Sequence, residues 1–323
     1  KYESVGNPYA SPIDFTQISR EAGIDNKFYS WDPYLYGSYG LGGYQTLSSV
    51  NNWEPVPGGT KIYPSGIPKS TIRSGQAFLV HSTGIGPASY ELTITENSKV
   101  TSNASSEIAR PNGQSPSTRR QFFSVSLYSS VGQQALIADG NTVAFDRSYS
   151  NALDGDDALK LQNSGENFVL KRNGKVLAIE ARGPVAATDT LYYNMSNLKQ
   201  QAYQLRFAPG NMESMSVSAY LSDRYLNTTT PLSLSDTSVV NITVTSAAGS
   251  SSADRFSVIF KQMAALPVTY TSVKAYGKGS DIAVAWTVEN ETGLQEYKIE
   301  TSGDGTSFIK AATVAAGNKG AGR

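Results

Sequence analysis

An all-β fold of antiparallel layers, a β-sandwich or jelly-roll, is what this sequence predicts, on three observations. Turn signals recur at short intervals, the segments between them alternate apolar and polar residues, and no long helical period is present. Asn173-Gly174 lies between FVLKR (168–172) and KVLAIEAR (175–182), a strong hairpin signal. Asp139-Gly140 separates QQALIA from NTVAFD and predicts a second hairpin turn. Asn163-Ser164-Gly165 and Gly303-Asp304-Gly305 mark further tight turns. FFSVSLY (122–128), YQLRFA (203–208), MSVSAYL (215–221), VVNITVT (239–245) and RFSVIF (255–260) have a period of two, so one face is buried and one is wet. The helical candidates are a short turn near Pro12–Ile18 and residues 156–161, which read equally well as a strand.

The order along the chain suggests two domains. Residues 1–264 form one or two packed antiparallel sandwiches, with a sub-boundary near 101–120, where the chain is polar and carries two prolines. QMAALP (262–267) reads as a linker. A new β pattern follows over 266–323, with strands expected at Val268–Tyr276, Ile282–Val288, Tyr297–Thr301 and Phe308–Val314. In that pattern Trp286 alternates with Val284 and Ile282, so it should face a core and meet Tyr297 and Ile299.

Composition excludes several classes. Of 323 residues, 27 are Lys or Arg and 27 are Asp or Glu, so the net charge is zero. Such a chain has no electrostatic footprint for nucleic acid. It has no cysteine, which removes disulfides, thiolate nucleophiles and Cys-ligated metals. No apolar run is long enough to span a membrane as a helix. Lys1 opens directly on a strand-like segment, and the chain reads as a piece of a larger protein whose address signals lie outside it.

The candidate sites are few. His81 is the lone histidine, so a Ser-His-Asp triad would have to be built on it. Its neighbour Ser82 should point to the opposite face of the strand, and no GxSxG elbow exists. A half-buried strand histidine is the simpler reading, and the chain is not expected to be an enzyme. Asp139, Asp146, Asp154, Asp156 and Asp157 concentrate carboxylates as calcium requires. They do not fit the EF-hand spacing, and turn aspartates bonded to their own backbone are the simpler account. A paired-carboxylate glycosidase site is a weaker use of the same residues. No cofactor other than calcium is suggested.

Phe28, Tyr29, Trp31, Tyr34, Tyr36, Tyr39 and Tyr44 place seven rings in a short stretch broken by Gly37, Gly40, Gly42 and Gly43. The expectation is a loop folded over the sandwich end with most rings buried, since an exposed loop of this kind leaves a large apolar patch. Exposed rings at Trp31, Tyr34, Tyr36 and Tyr39 would instead form a platform for sugars or for a protein partner.

SVGNPYASPIDF (4–15), FYSWDPYLYGSYGLGGYQTL (28–47), SGQAFLVH (74–81), residues 138–182, YLNTTTPLSL (225–234) and ADRFSVIF (253–260) together resemble the large surface proteins secreted by Bacteroidetes-type bacteria. The tail from 266 to 314 resembles the fibronectin-III-like domain that often precedes the C-terminal sorting signal in such proteins, and the signal itself is absent from these residues. The resemblance implies export by the type IX route, residence on the outer cell surface, and a partial fibronectin-III-like, immunoglobulin-like sandwich at the C-terminus. Asp189-Thr190-Leu191 fits the O-glycosylation pattern of such proteins, with Thr190 as acceptor.

The function expected is a non-catalytic structural or adhesion module that builds filaments or displays a neighbouring domain. The alternative is a carbohydrate-binding module of a secreted glycoside hydrolase. Partners would be cell-surface or secretion-machinery proteins, other copies of the chain, or glycans. A fibronectin-III-like sandwich needs about seven strands, so the C-terminal segment is expected to be completed by further residues, by the first domain or by a donated strand.

Overall fold

The structure is a computed structural model that describes residues 1–58, 69–83, 89–100, 120–131, 134–262, 268–289, 291 and 294–317. The expected sub-boundary near 101–120 lies outside the described residues except for Arg120, as does most of the expected linker. Strands make up 53% of the described residues, among which no 3-10 turn exceeds four residues. The chain divides into two compact units, Lys1–Gln262 and Met263–Arg323.

The first unit begins with β1 (Tyr2–Gly6), β2 (Ile13–Asp14), β3 (Ser19–Arg20), β4 (Lys27–Asp32), β5 (Gly43–Ser48), β6 (Thr71–Ile72), β7 (Ala77–His81) and β8 (Leu92–Thr93). Four of these form an antiparallel sheet in the order β1-β7-β4-β5. Phe15, Phe28, Ile72 and Phe78 are buried against it, with Trp53 stacked on Phe28 at 6.0 Å. Phe15 follows Asp14, whose carboxylate caps a 3-10 turn by accepting from Thr16 N–H. This is the short turn expected near Pro12–Ile18.

The unit continues with β9 (Gln121–Val131), β10 (Gln134–Phe145), β11 (Ala158–Leu159), β12 (Asn167–Arg172), β13 (Lys175–Arg182), β14 (Thr190–Ser196) and β15 (Ala202–Gly210). It ends with β16 (Val217–Asp223), β17 (Thr228–Leu232), β18 (Ser238–Thr243) and β19 (Phe256–Gln262). These form one sheet in the order β17-β16-β19-β14-β12-β13-β10-β9-β15-β18, with β11 on β13. The sheet curls into a nearly closed, barrel-like sandwich. The period-two pattern explains why: Phe123, Val125 and Leu127 of β9 and Leu205 and Phe207 of β15 all point inward. There they meet Val258 and Phe260 of β19, with Phe123 6.0 Å from Phe260. Removing this much aromatic and aliphatic surface from water is the main stabilising term.

Two features depart from expectation. The large sheet is mixed, because Thr142–Phe145 of β10 run parallel to Ile179–Arg182 of β13. Asp139-Gly140 is not a turn but lies within β10, at a bulge between Ile137 and Asp139. The glycine serves close packing: a Cβ there would sit 2.6 Å from the Val125 carbonyl and 3.0 Å from Pro57. By contrast, Asn173 and Gly174 both have positive φ, 46° and 75°, the conformation the hairpin between β12 and β13 requires.

The second unit has two antiparallel hairpins, β20 (Thr269–Lys278) with β21 (Asp281–Glu289) and β22 (Glu296–Thr301) with β23 (Ile309–Ala315). The four strands stand where the sequence places them, to within two residues. Trp286 contacts Tyr297 at 5.3 Å between ring centroids, and Tyr297 is buried. Val273, Ile282 and Ile309 are exposed.

Candidate functional site

The segment between β4 and β5 is the candidate. The two strands pair antiparallel, with Trp31 opposite Tyr44 and Asp32 opposite Gly43. Phe28 and Tyr29 are fully buried, and the Tyr29 hydroxyl donates to the Leu159 carbonyl at 3.2 Å. Trp31 lies on the same face as Tyr29 but is 44% exposed. Tyr34, Tyr36 and Tyr39 are 51%, 39% and 38% exposed. Four of the seven rings are therefore open to solvent, against the expectation that most are buried. The difference lies in the anchoring: Leu35 is the residue of the loop that enters the interior, and polar contacts hold the rest.

Those contacts are specific. Asp32 accepts from Tyr34 N–H at 2.8 Å, which starts the turn. Gly37 N–H donates to the Ile137 carbonyl at 3.1 Å, and Gly40 N–H donates to the Tyr36 carbonyl at 2.7 Å. Glu166, which is 2% exposed, accepts from Ser38 N–H at 3.0 Å and also from the Ser38 hydroxyl and the Tyr203 hydroxyl. Burial pushes the Tyr203 phenol up to about 12, so it remains a hydrogen-bond donor at every ordinary pH. Lys199 donates to the Ser38 carbonyl at 2.8 Å and lies 4.1 Å from the Tyr39 ring centroid, a cation–π contact. The Tyr39 hydroxyl donates to the Asn197 carbonyl at 2.9 Å.

Trp31 meets the half-buried Tyr44 edge to face, and the exposed Tyr34 and Tyr36 meet each other in the same way. Trp31 and Tyr44 are 5.0 Å apart, and Tyr34 and Tyr36 are 6.0 Å apart. Such pairs hold one another in fixed orientation. Gly42 closes the loop at φ +74°, and a Cβ there would lie 2.8 Å from the Trp31 ring and 2.9 Å from the Asp32 carbonyl. Gly42→Ala is expected to cost about 1–2 kcal/mol of stability, since the left-handed backbone penalises a side chain by that much before any clash. A urea titration followed by tryptophan fluorescence checks this.

The other predicted residues are placed separately. His81 Nδ1 contacts Asp25 Oδ2 at 2.9 Å and its ring lies against Tyr2, while the Ser82 hydroxyl turns to the Lys1 carbonyl. The five aspartates do not converge. Asp139 is enclosed with Lys160. Asp146 accepts from Ser148 N–H and hydroxyl, which hold its carboxyl below the ordinary range. Asp154 accepts from Asp156 N–H, and Asp157 accepts from the Asp154 and Ala181 amides. Among the described residues no three acidic or histidine side chains are grouped to hold a metal ion. Thr190 is half-buried at the start of β14, and the Asp189 carboxylate is taken by Ala186 N–H and Arg182.

Residues 1–260 match a family model described as Domain of unknown function (DUF8693). The chain belongs to the DUF8693 family. No curated protein and no solved structure matches it. The aromatic loop, the five aspartates and Thr190 all lie within the DUF8693 stretch, and the two C-terminal hairpins lie outside it. Sequence reasoning missed Glu166, Asn197 and Lys199, because each is more than 120 residues from the loop it holds and carries no local motif.

Proposed function

We propose that the chain is a non-catalytic module of the cell exterior that binds carbohydrate through the loop between β4 and β5. The observation that carries this reading is the exposure of Trp31, Tyr34, Tyr36 and Tyr39 on a loop fastened at both ends and in the middle. Rings held rigidly lose little entropy when a ligand stacks on them. Sugar faces carry C–H groups beside hydroxyls, and tyrosine and tryptophan offer an apolar face beside a polar tip. The neutral net charge fits an uncharged ligand. The extracellular setting rests on the resemblance to exported surface proteins. The non-catalytic reading is supported by the placement of Ser82, whose hydroxyl donates to the Lys1 carbonyl and so is not offered to His81 as a nucleophile.

Glycan-array screening of the full chain, followed by titration calorimetry on the best ligand, tests the proposal. Trp31→Ala is expected to weaken binding about tenfold or more, as an aromatic anchor does. Tyr192→Ala, at an exposed ring on β14, is expected to leave binding unchanged. If no glycan binds, or if Trp31→Ala binds like the parent, the reading fails.

A further inference from the structure

Lys160 and Asp139 form the most deeply enclosed ion pair among the described residues, with side chains 1% and 0% exposed. Lys160 follows β11, and its backbone N–H donates to the Val176 carbonyl at 2.9 Å. Its Nζ has one described acceptor, Asp139 Oδ1. An ammonium has three donors to satisfy, and a buried one with a single partner is poorly stabilised. Arg255 shows the contrast: it is equally buried, yet its guanidinium reaches both oxygens of Asp223 and two backbone carbonyls. The Arg255 charge has four described acceptors, whereas the Lys160 ammonium has one.

We propose that the folded chain joins Lys160 Nζ to Asp139 Cγ as an intramolecular isopeptide bond. The amine and the carboxyl already touch, water is excluded, and the carboxyl is flanked by donors suited to its reaction. Phe168 N–H donates to Oδ2 at 2.8 Å, and Asn163 Nδ2 donates to Oδ1 at 3.2 Å. Lys160 passes its proton to Oδ1, so Oδ1 is the oxygen that leaves; Phe168 N–H on Oδ2 stabilises the oxyanion of a tetrahedral intermediate, and Asn163 steadies the departing oxygen. Fixed contact between the two groups supplies the proximity that an amide condensation needs.

The step balances without a further reagent. A proton passes from the Lys160 ammonium to the Asp139 carboxylate across their hydrogen bond, leaving an amine and a carboxylic acid. Burial raises the Asp139 carboxyl above its ordinary value, against the opposing pull of Lys160 and the Phe168 amide, which favours its taking the proton. The nitrogen lone pair then forms a bond to Cγ, the C–OH bond breaks, and the hydroxyl leaves with a proton from nitrogen as one water. Nothing is oxidised or reduced. The product removes two buried charges and keeps the Oδ2 carbonyl, which Phe168 N–H can still satisfy. In a chain without cysteine, it provides a covalent tie between β10 and the segment beside β13.

Mass spectrometry of the intact, denatured chain is the test, with a tryptic map. The expected result is a mass lower than that of the sequence by one water, with peptide 121–147 joined to peptide 148–171 and no cleavage at Lys160. Lys160→Arg and Asp139→Ala are expected to return the full sequence mass. A succinimide at Asp139-Gly140 would also lose one water, but it leaves cleavage at Lys160 intact and yields no branched peptide, so that outcome overturns the proposal. The full sequence mass in the parent chain overturns it as well, and this reading does not depend on any variant folding.

Discussion

Asp223→Ala is expected to destabilise the first unit by about 3–5 kcal/mol, the cost of leaving a buried charge without its partner. Arg255 is 2% exposed, and its Nε and Nη2 donate to the two oxygens of Asp223 at 2.9 and 2.7 Å. Its Nη1 donates to the carbonyls of Thr243 and Ser250. Tyr225 and Phe256 lie over the guanidinium with centroids at 5.0 and 4.7 Å. Alanine at 223 leaves two donors facing no acceptor in an apolar enclosure. It also removes the oxygen that accepts from Tyr225 and Leu226 N–H at the turn after β16. Asp223 pairs with Phe256 in the ladder, so the loss falls on β16 and β19 together. Urea denaturation of the full chain measures it. A double replacement, Asp223→Leu with Arg255→Met, is expected to recover most of the stability, because a neutral apolar pair has no desolvation penalty. A single-variant loss below about 1 kcal/mol would show that water reaches the pair.

Glu166→Ala should both destabilise the fold and weaken ligand binding. The carboxylate joins the aromatic loop to β15 by accepting from Ser38 N–H, the Ser38 hydroxyl and the Tyr203 hydroxyl. Its removal strands donors that are largely buried, at about 1–3 kcal/mol for each one left unsatisfied. Gly37 packs directly on the same carboxylate, so the space that opens lies under the exposed rings. The loop then has more conformations to lose on binding, and affinity falls even though no ligand contact has been removed. Glu166→Gln keeps an acceptor oxygen and is expected to restore part of both properties. Thermal unfolding and glycan titration on the same preparations separate the outcomes. Unchanged affinity in a folded Glu166→Ala chain would show that the rings are placed by their own packing.

The strands were legible because alternation is local. FFSVSLY and YQLRFA state which residues face inward, and β9 and β15 use those faces. The Asn173-Gly174 hairpin was legible for the same reason, since two residues of positive φ determine the turn. Asp139-Gly140 has similar local chemistry and misled. Its glycine answers to Val125 and Pro57, and its aspartate to Lys160, none of them adjacent in sequence. The aromatic stretch was recognisable as a candidate, but which rings stay wet was not.

Residue order alone determined the all-β class, the positions of most strands, the absence of disulfide chemistry and the short list of residues that merited attention. These follow from side-chain period, backbone conformational preference and composition, which are properties of neighbouring residues. Tertiary structure decided that β10 and β13 run parallel, that Glu166 and Lys199 hold the loop bearing Trp31, and that Asp139 sits within β10 while Asp146 and the Asp154–Asp157 turn bond their own backbone. It also decided that Lys160 and Asp139 share one dry enclosure. Burial and pairing depend on which distant segments exclude water from a group, and that information exists only once the sheet has closed on its core.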